Sequence, residues 1–304
     1  KVFDTGFAID LVIEELTKLI IQQIEKQEYK TIFSSCCPSW VKYCETVKPE
    51  FLSQIATIKS PQQILNNLIK THFVSQNNLE IKNIFTVGIM PCTAKKAEAE
   101  REDELISYHN ATDAVLTIRE LYKLINLHGI NLQGTEAKTY DAPYQIKSAS
   151  AKLFAISGGL TEALIRNLHY KITGCHFEKN KIMELRNDKG IKQYTLQIND
   201  KTIHFAVASG LKNIAALLDE AKKENHFHFA EIMACPLGCA NGGGQPVPVD
   251  DKKIKHRIKT LYEWDEKEAL KCACNNPALL RLTENQNQNP LQLQLELFYC
   301  TRNK

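Results

Sequence analysis

The stretch Glu231-Ile-Met-Ala-Cys-Pro-Leu-Gly-Cys-Ala-Asn-Gly-Gly-Gly-Gln-Pro246 places two cysteines between an apolar run and three consecutive glycines. The run 227–234 is rich in apolar and aromatic residues, which predicts a buried strand. Because Gly242 to Gly244 carry no side chains, the backbone there can approach a ligand closely. Two thiols beside such a surface favour a bulky inorganic cofactor held by Cys235 and Cys239. The alternative is a turn with two buried cysteines, since free cysteine is among the most buried residue types.

The composition is that of an ordinary globular protein. The 304 residues are 43% hydrophobic and 24% charged, which is enough for a large core and for two lobes. The net charge of +3 comes from 38 basic and 35 acidic residues, and this balance argues against nucleic acid as a partner. No apolar run approaches the roughly 18 residues of a membrane span, and residues 1–24 carry charges throughout, unlike a signal peptide. We therefore expect no membrane span and no secretion.

The ten cysteines predict metal or redox chemistry rather than a disulfide framework, because no secretory signal accompanies them. We expect a reducing compartment. The cysteines lie at positions 36, 37, 44, 92, 175, 235, 239, 272, 274 and 300. None forms the closely spaced run of a bacterial ferredoxin. A metal cluster would therefore need separate parts of the chain to converge.

Two further cysteine motifs follow predicted strands. The strand 31–34 runs into Ser35-Cys36-Cys37-Pro38-Ser39-Trp40, and the strand 83–89 ends in Met90-Pro91-Cys92-Thr93-Ala94-Lys95-Lys96. Each motif is expected to lead into a helix, whose first backbone N–H groups can face an anionic ligand. Parallel strands that end in such turns predict an α/β sheet with its ligand beyond the carboxyl ends of the strands.

The remaining pattern predicts two lobes, 1–130 and 131–257, and a helical C-terminal segment, 258–304. The join between the lobes is expected in 131–145, which contains glycine and proline. The Gln/Asn-rich piece 284–292 is expected to be a surface connection. Apolar periodicity predicts helices over 8–26, 61–73, 115–127, 159–170, 211–223, 258–271 and 276–284, and strands over 181–186, 194–198 and 202–207.

Taken together, and in this order along the chain, the three cysteine motifs resemble the signature motifs of [FeFe]-hydrogenases. The resemblance extends from Val2 to about residue 280. It implies the H-cluster, in which a [4Fe–4S] cubane is joined through a cysteine sulfur to a two-iron unit with CO, cyanide and a bridging dithiolate. The cubane ligands implied motif by motif are Cys37, Cys92, Cys235 and Cys239, with Cys239 as the bridge. The implied fold is two lobes of mostly parallel or mixed sheet flanked by helices, with the cluster in the cleft between them.

A structural zinc site with four cysteine ligands is an alternative for the same residues. Such sites usually contain paired cysteines two to four residues apart. Cys92 is isolated, and Cys37 has no partner at that spacing. The sequence therefore favours the cluster.

The resemblance also implies roles around the cluster. Cys36 matches the cysteine that passes protons to the dithiolate amine, and Glu15 matches the inner of two glutamates of a proton relay. A thiol suits proton transfer because it can both donate and accept a proton, although a buried structural thiol is the alternative for Cys36. Lys95 matches a lysine that hydrogen-bonds a cyanide ligand. Residues expected around the two-iron unit, some of which are alternatively ordinary core residues, are Ser60, Gln62, Met90, Pro91, Phe154 and Met233.

The chain departs from the family pattern in several places. The outer relay glutamate falls on Lys18, and the relay serine falls on Ala56. Ala155 and Leu237 stand where the family commonly has glycine. The segment Ala273-Cys274-Asn275 stands where active relatives commonly read Ser-His-Glu, and the sequence indicates no chemical role for Cys272 or Cys274.

The function implied by the resemblance is reversible H2 oxidation and proton reduction, with an altered proton path. Electrons are expected from a ferredoxin or a partner subunit, and maturation enzymes are expected to supply the two-iron unit. The expected location is the cytoplasm or a reducing organelle such as a hydrogenosome. One alternative is a non-catalytic H-cluster sensor or redox-signalling relative. A less favoured one is an iron–sulfur assembly factor, a class whose members lack counterparts of Cys36 and Met90.

Overall fold

The computed structural model describes residues 1–27, 30–101, 105–106, 109–223 and 227–284. The helices are α1 Gly6–Glu25, α2 Pro38–Val47, α3 Pro61–Leu68, α4 Val74–Gln76, α5 Ala94–Ala99, α6 Ile118–Leu127, α7 Ala149–Leu153, α8 Gly159–Thr173, α9 Leu211–Lys223, α10 Asp251–Lys267 and α11 Pro277–Glu284. The strands are β1 Ile32–Phe33, β2 Val87–Met90, β3 Leu105–Ile106, β4 His109–Asn110, β5 Ala114–Thr117, β6 Ile191–Ile198, β7 Lys201–Ser209 and β8 Phe229–Met233. Beyond its first residue, the expected connection 284–292 lies outside the described residues.

A four-stranded mixed sheet forms the centre of the molecule, in the order β1-β8-β7-β6. β8 is parallel to both of its neighbours, with Phe229 opposite Ile32 on one side and Phe205 on the other. β6 and β7 form an antiparallel hairpin. All five residues of β8 are buried, as the apolar run at 227–234 predicted.

Helices cover both faces of this sheet. Alternate residues of β7 point to opposite faces, so Phe205 and Val207 join a core built with α1, α3 and α8. Ala206 and Ala208 instead join a core built with α2 and α9, which includes Trp40. The arrangement confirms the predicted α/β class.

A second, parallel sheet consists of β2 and β5, with Val87 opposite Ala114 and Met90 opposite Thr117. β5 was not predicted from the sequence, where the apolar spacing indicated a helix from residue 115. The helix begins only at Ile118, since Thr117 and Glu120 form a reciprocal capping box at its start. The Thr-x-x-Glu spacing at 117–120 is the sequence signal that could have identified where the strand ends and the helix begins.

The predicted strand at 181–186 is wrong. Lys179–Leu185 forms a 3₁₀-helix instead. Ile182 and Leu185 are three residues apart, which is one 3₁₀ turn, and both are buried in the core beside α8. A second boundary also differs: α10 begins at Asp251 rather than 258, because the Asp250 side chain accepts a hydrogen bond from the Lys253 N–H.

The strands that precede Cys37 and Cys92 belong to different sheets, although both cysteines were predicted to lie in one lobe. β1 pairs with β8, so the Cys37 turn lies beside the Cys235 turn. Periodicity locates a strand but does not select its hydrogen-bonding partner, and this explains the difference. The boundaries at 130 and 257 stay predictions. No helix in the described ranges is long and apolar enough to cross a membrane.

Candidate metal centre

The turns that follow β1 and β8 emerge side by side, because these two strands are parallel. Cys37 stands at the N-cap position of α2, with Pro38 in the first helical turn. The backbone N–H of Ala234 points to the Cys37 sulfur, with 3.5 Å between nitrogen and sulfur. Cys37 and Cys235 are thereby brought together from positions almost two hundred residues apart.

The glycine run brings the Cys92 turn to the same place. The Gly244 N–H donates to the Pro91 carbonyl at 2.9 Å. A Cβ at Gly242 would stand 2.2 Å from the Pro91 oxygen, and one at Gly244 would stand 2.8 Å from the Cys92 nitrogen. Only a backbone without side chains fits this contact. The glycines therefore connect the turn after β2 to the turn after β8, across the two sheets.

The thiols from these three turns influence one another's ionisation. Burial raises the pKa of Cys239, and the neighbouring Cys37, Cys92 and Cys235 thiols raise it further. Burial also raises the pKa of Cys37 and of Cys235. Without a metal, these three thiols are protonated at neutral pH. Binding of a metal must displace their protons, so assembly of the site is linked to pH.

Cys36, the proton carrier implied by the resemblance, lies next to this group and is partly buried. Burial raises its pKa to about 12 against the opposing effect of the Lys95 ammonium. The thiol is therefore neutral near pH 7. A neutral thiol has a proton to donate, which suits the implied role.

Lys95 places a positive charge beside the cysteines. Its Nζ donates to both carboxylate oxygens of Glu98 at 2.9 and 2.8 Å and to the Cys36 carbonyl at 3.3 Å. Burial alone would lower the pKa of Lys95, but Glu98 outweighs this effect and the pKa is raised. The Ser60 hydroxyl donates to Glu98 at 2.8 Å. Glu98 was not predicted from the sequence, although its spacing from Lys95 on α5 was the available signal.

Two buried polar atoms near the cysteine turns have no hydrogen-bond partner in the described part of the chain. They are the Gln62 amide oxygen and the Ser157 hydroxyl. The Gln62 oxygen lies against Gly88 of β2, two residues before Met90. Buried polar atoms are usually satisfied, so these two are available to a bound group.

The segment around Phe154 packs against the last cysteine motif. The Ala155 carbonyl accepts a hydrogen bond from the Ala240 N–H at 3.1 Å, and a Cβ at Gly238 would stand 2.9 Å from the Met233 sulfur. Leu237 has a φ of 63°, a left-handed conformation that glycine adopts more readily. The glycine that the family commonly has there would relieve this strain.

Glu231 holds this segment in place, a role that was not predicted from the sequence. Its carboxylate accepts hydrogen bonds from the Gly158 and Thr161 backbone N–H groups, both at 2.8 Å, and so caps α8. Lys192 donates to the Ser157 carbonyl at 2.7 Å. The acidic residue four positions before Cys235 was visible in the motif, but its partners come from a distant part of the chain.

The positions of the implied proton relay hold an ion pair and an apolar side chain instead of a carboxylate–hydroxyl chain. Lys18 Nζ lies 2.6 Å from the Glu15 carboxylate, so the substituted lysine forms an ion pair with the glutamate. Ala56 is buried in the apolar core that contains Leu16, and the Cys36 side chain packs against the same core. No hydroxyl is available at position 56.

In the described ranges, no three His, Cys, Asp or Glu side chains are close enough to hold a single metal ion. The thiolates of a cubane each bind a different iron atom, so they stand farther apart than the ligands of one ion. The donor set and the side-chain-free glycine surface fit a [4Fe–4S] cluster.

Comparison with known proteins matches residues 1–243 to the family described as "Iron only hydrogenase large subunit, C-terminal domain". Iron hydrogenase 1 of Clostridium pasteurianum is 35% identical over 94% of this chain and 51% of its own length. Cytosolic iron-sulfur assembly component 3 of Mus musculus is 33% identical over 88% of this chain and 59% of its own length. The chain spans about half the length of the first of these curated relatives.

Solved structures agree with this relationship. The structure of [FeFe]-hydrogenase HydA(deltaEFG), which concerns stepwise H-cluster assembly, superposes with a TM-score of 0.83 and 29% identity over 99% of this chain and 83% of the other. A variant of [FeFe]-hydrogenase HydA1 from Chlamydomonas reinhardtii gives the same TM-score, identity and coverage. The matched motifs, the shared fold and the cysteine site beside the glycine run together show that this chain belongs to the family of the iron-only hydrogenase large subunit, C-terminal domain.

Proposed function

We propose that this chain holds an H-cluster and interconverts H2 with protons and electrons. The observation that supports this most strongly is the convergence of Cys37, Cys92 and the Cys235–Cys239 turn beside a buried ammonium group. When bound, the cluster would supply a store of electrons and a two-iron centre at which H2 is split or formed. The thiolates of Cys37, Cys92, Cys235 and Cys239 would hold it, and Cys239 would also hold the two-iron centre.

The chain's own residues would prepare and protect this chemistry. Lys95, fixed by Glu98 and Ser60, offers a hydrogen-bond donor and balances negative charge at the cluster. The Gln62 oxygen and the Ser157 hydroxyl have no hydrogen-bond partner among the described residues and can meet polar ligands. Cys36, neutral at pH 7, would carry the proton to and from the centre.

Proton supply should limit the rate. The ion pair between Lys18 and Glu15 occupies the carboxylate that the relay would use, and Ala56 contributes no hydroxyl. Water can bridge part of such a gap, but less efficiently than a continuous set of side chains. Electrons would come from a ferredoxin or a partner subunit, and maturation enzymes would install the two-iron unit.

The same observations favour a second candidate. A non-catalytic sensor would keep the cysteine site and Lys95 but would not need a fast proton path, which is consistent with Lys18 and Ala56. An assembly factor, the activity in the name of the mouse relative, is less favoured because Cys36 and Met90 are both present.

The test is to produce the chain with hydrogenase maturation enzymes and to record its infrared spectrum and its H2 production. Bands from CO and cyanide together with turnover are expected, and Cys36→Ala should keep the bands and lose nearly all turnover. Bands without turnover would favour the sensor. A cluster that contains iron but lacks these bands would favour the assembly factor, and a protein without iron would overturn all three.

A further inference from the structure

A Cys-x-Cys turn lies away from the candidate metal centre, between α10 and α11. Cys272 precedes the 3₁₀-helix Ala273–Asn275, and Cys274 lies within it. Cys272 is only 1% exposed, whereas Cys274 is partly exposed. Only Ala273 separates the two cysteines along the chain, and both are free thiols.

His176 lies beside this pair. Its Nδ1 is 3.6 Å from the Cys272 sulfur, and the ring is on the exposed side of the molecule. The other charged groups near the pair are Arg166 and Lys171 on α8 and Glu14 on α1. The contact with Cys274 lowers the pKa of Cys272 to about 7, against the effect of burial and with a smaller contribution from His176. One thiolate is therefore shared within the pair near neutral pH.

The turn is held in position by its backbone. The Cys274 N–H donates to the Asn167 side-chain oxygen at 2.9 Å, and the Asn167 amide donates to Glu14 at 2.7 Å. Ala273 is fully buried in the core with α1 and α8. The fold therefore holds both cysteines on one turn. Such close thiols, one of them a thiolate and one reachable from solvent, are the requirements for disulfide exchange.

We propose that Cys272 and Cys274 form a reversible dithiol–disulfide couple that exchanges with a small disulfide such as glutathione disulfide. The Cys272 thiolate takes the Cys274 proton as the partly exposed Cys274 sulfur attacks the incoming disulfide, which releases one glutathione thiolate. Cys272 then gives its proton to His176, and its sulfur displaces the second glutathione. The pair, which starts with one proton between its two sulfurs, loses two electrons to the disulfide and that proton to His176, and one glutathione disulfide becomes two glutathione thiolates.

The test uses the full chain in a series of glutathione redox buffers, followed by acid quenching, alkylation and peptide mass mapping. We expect the peptide with Cys272 and Cys274 to lose two hydrogens, to resist alkylation and to recover with dithiothreitol. In Cys272→Ser the remaining Cys274 thiol should instead keep one glutathione adduct, whereas in Cys274→Ser the buried Cys272 thiol should stay unmodified. A pair that stays fully alkylatable while the exposed Cys175 is already modified would overturn the proposal.

Two controls separate this couple from general thiol oxidation. Cys175→Ser should leave the disulfide unchanged, and a disulfide that contains Cys175 instead would contradict the assignment. His176→Asn should shift the pH midpoint of Cys272 alkylation upward, because the variant removes the imidazole that lies next to the sulfur. An unchanged midpoint would remove His176 from the mechanism. Protection by Zn²⁺ without disulfide formation would indicate a metal site and overturn the redox assignment.

Discussion

The contact between the glycine run and the Cys92 turn can be tested with a single methyl group. A Cβ at Gly242 would stand 2.2 Å from the Pro91 carbonyl oxygen, and real Cβ atoms essentially never approach other atoms closer than 3.0 Å. The two backbones must separate by about 0.8 Å to accommodate it. The neighbouring glycine offers a matched control, because a Cβ at Gly243 meets only the Thr93 hydroxyl at an ordinary 3.5 Å.

We expect Gly242→Ala to lower the free energy of unfolding by about 1–3 kcal/mol, the usual cost of overpacking. Because the displaced backbone carries Cys92, iron content after cluster reconstitution should also fall. Gly243→Ala should stay within about 0.5 kcal/mol of the parent and keep its iron. The measurements are urea denaturation of the purified protein and iron per chain after reconstitution. Equal denaturation midpoints and equal iron content for the two variants would refute the role assigned to this contact.

Three further changes test the site and the fold. Cys92→Ser should abolish the cubane and its visible absorption, because it removes one of four thiolates. The control Cys44→Ser, which alters a buried thiol hydrogen-bonded to the Lys48 carbonyl, should keep its iron. Wild-type iron content in the Cys92 variant would contradict the ligand assignment. Lys18→Glu combined with Ala56→Ser should raise the rate of H2 production at equal cluster occupancy. The gain can reach the roughly 10²–10⁴-fold effect of a general acid–base step. An unchanged rate would place the proton path elsewhere. Burial raises the pKa of Asp10 to about 6, so the folded state binds this proton more tightly than the unfolded chain does. The free energy of unfolding should therefore fall by about 3 kcal/mol as the pH rises from 4 to beyond 6. Asp10→Asn should flatten that decline in denaturation curves measured between pH 4 and 7, and parallel profiles would refute the argument.

Local sequence determined the elements whose signals lie within a few residues. The predicted helix 211–223 is the observed α9, because apolar spacing and a preceding glycine define its length and start. The Cys36-Cys37 and Cys92 motifs were likewise complete in the sequence, with strand, turn and helix in the expected order. Glycine at 242 and 244 was visible there as a surface without side chains. These features depend on backbone preference and on short spacings.

Only the tertiary structure decided which elements meet. The partnership of β1 with β8 is a choice among strands of similar composition, and it brings Cys37 beside Cys235, while the glycine run brings Cys92 to the same place from the other sheet. Glu98 was an ordinary acidic residue on an exposed-looking run until burial next to Lys95 made it the partner of that charge. The ion pair between Lys18 and Glu15 was likewise a matter of side-chain placement. Sequence spacing specifies the type of each element and of each candidate ligand, whereas long-range packing specifies their partners, because contact energies between distant segments depend on how the whole core is filled.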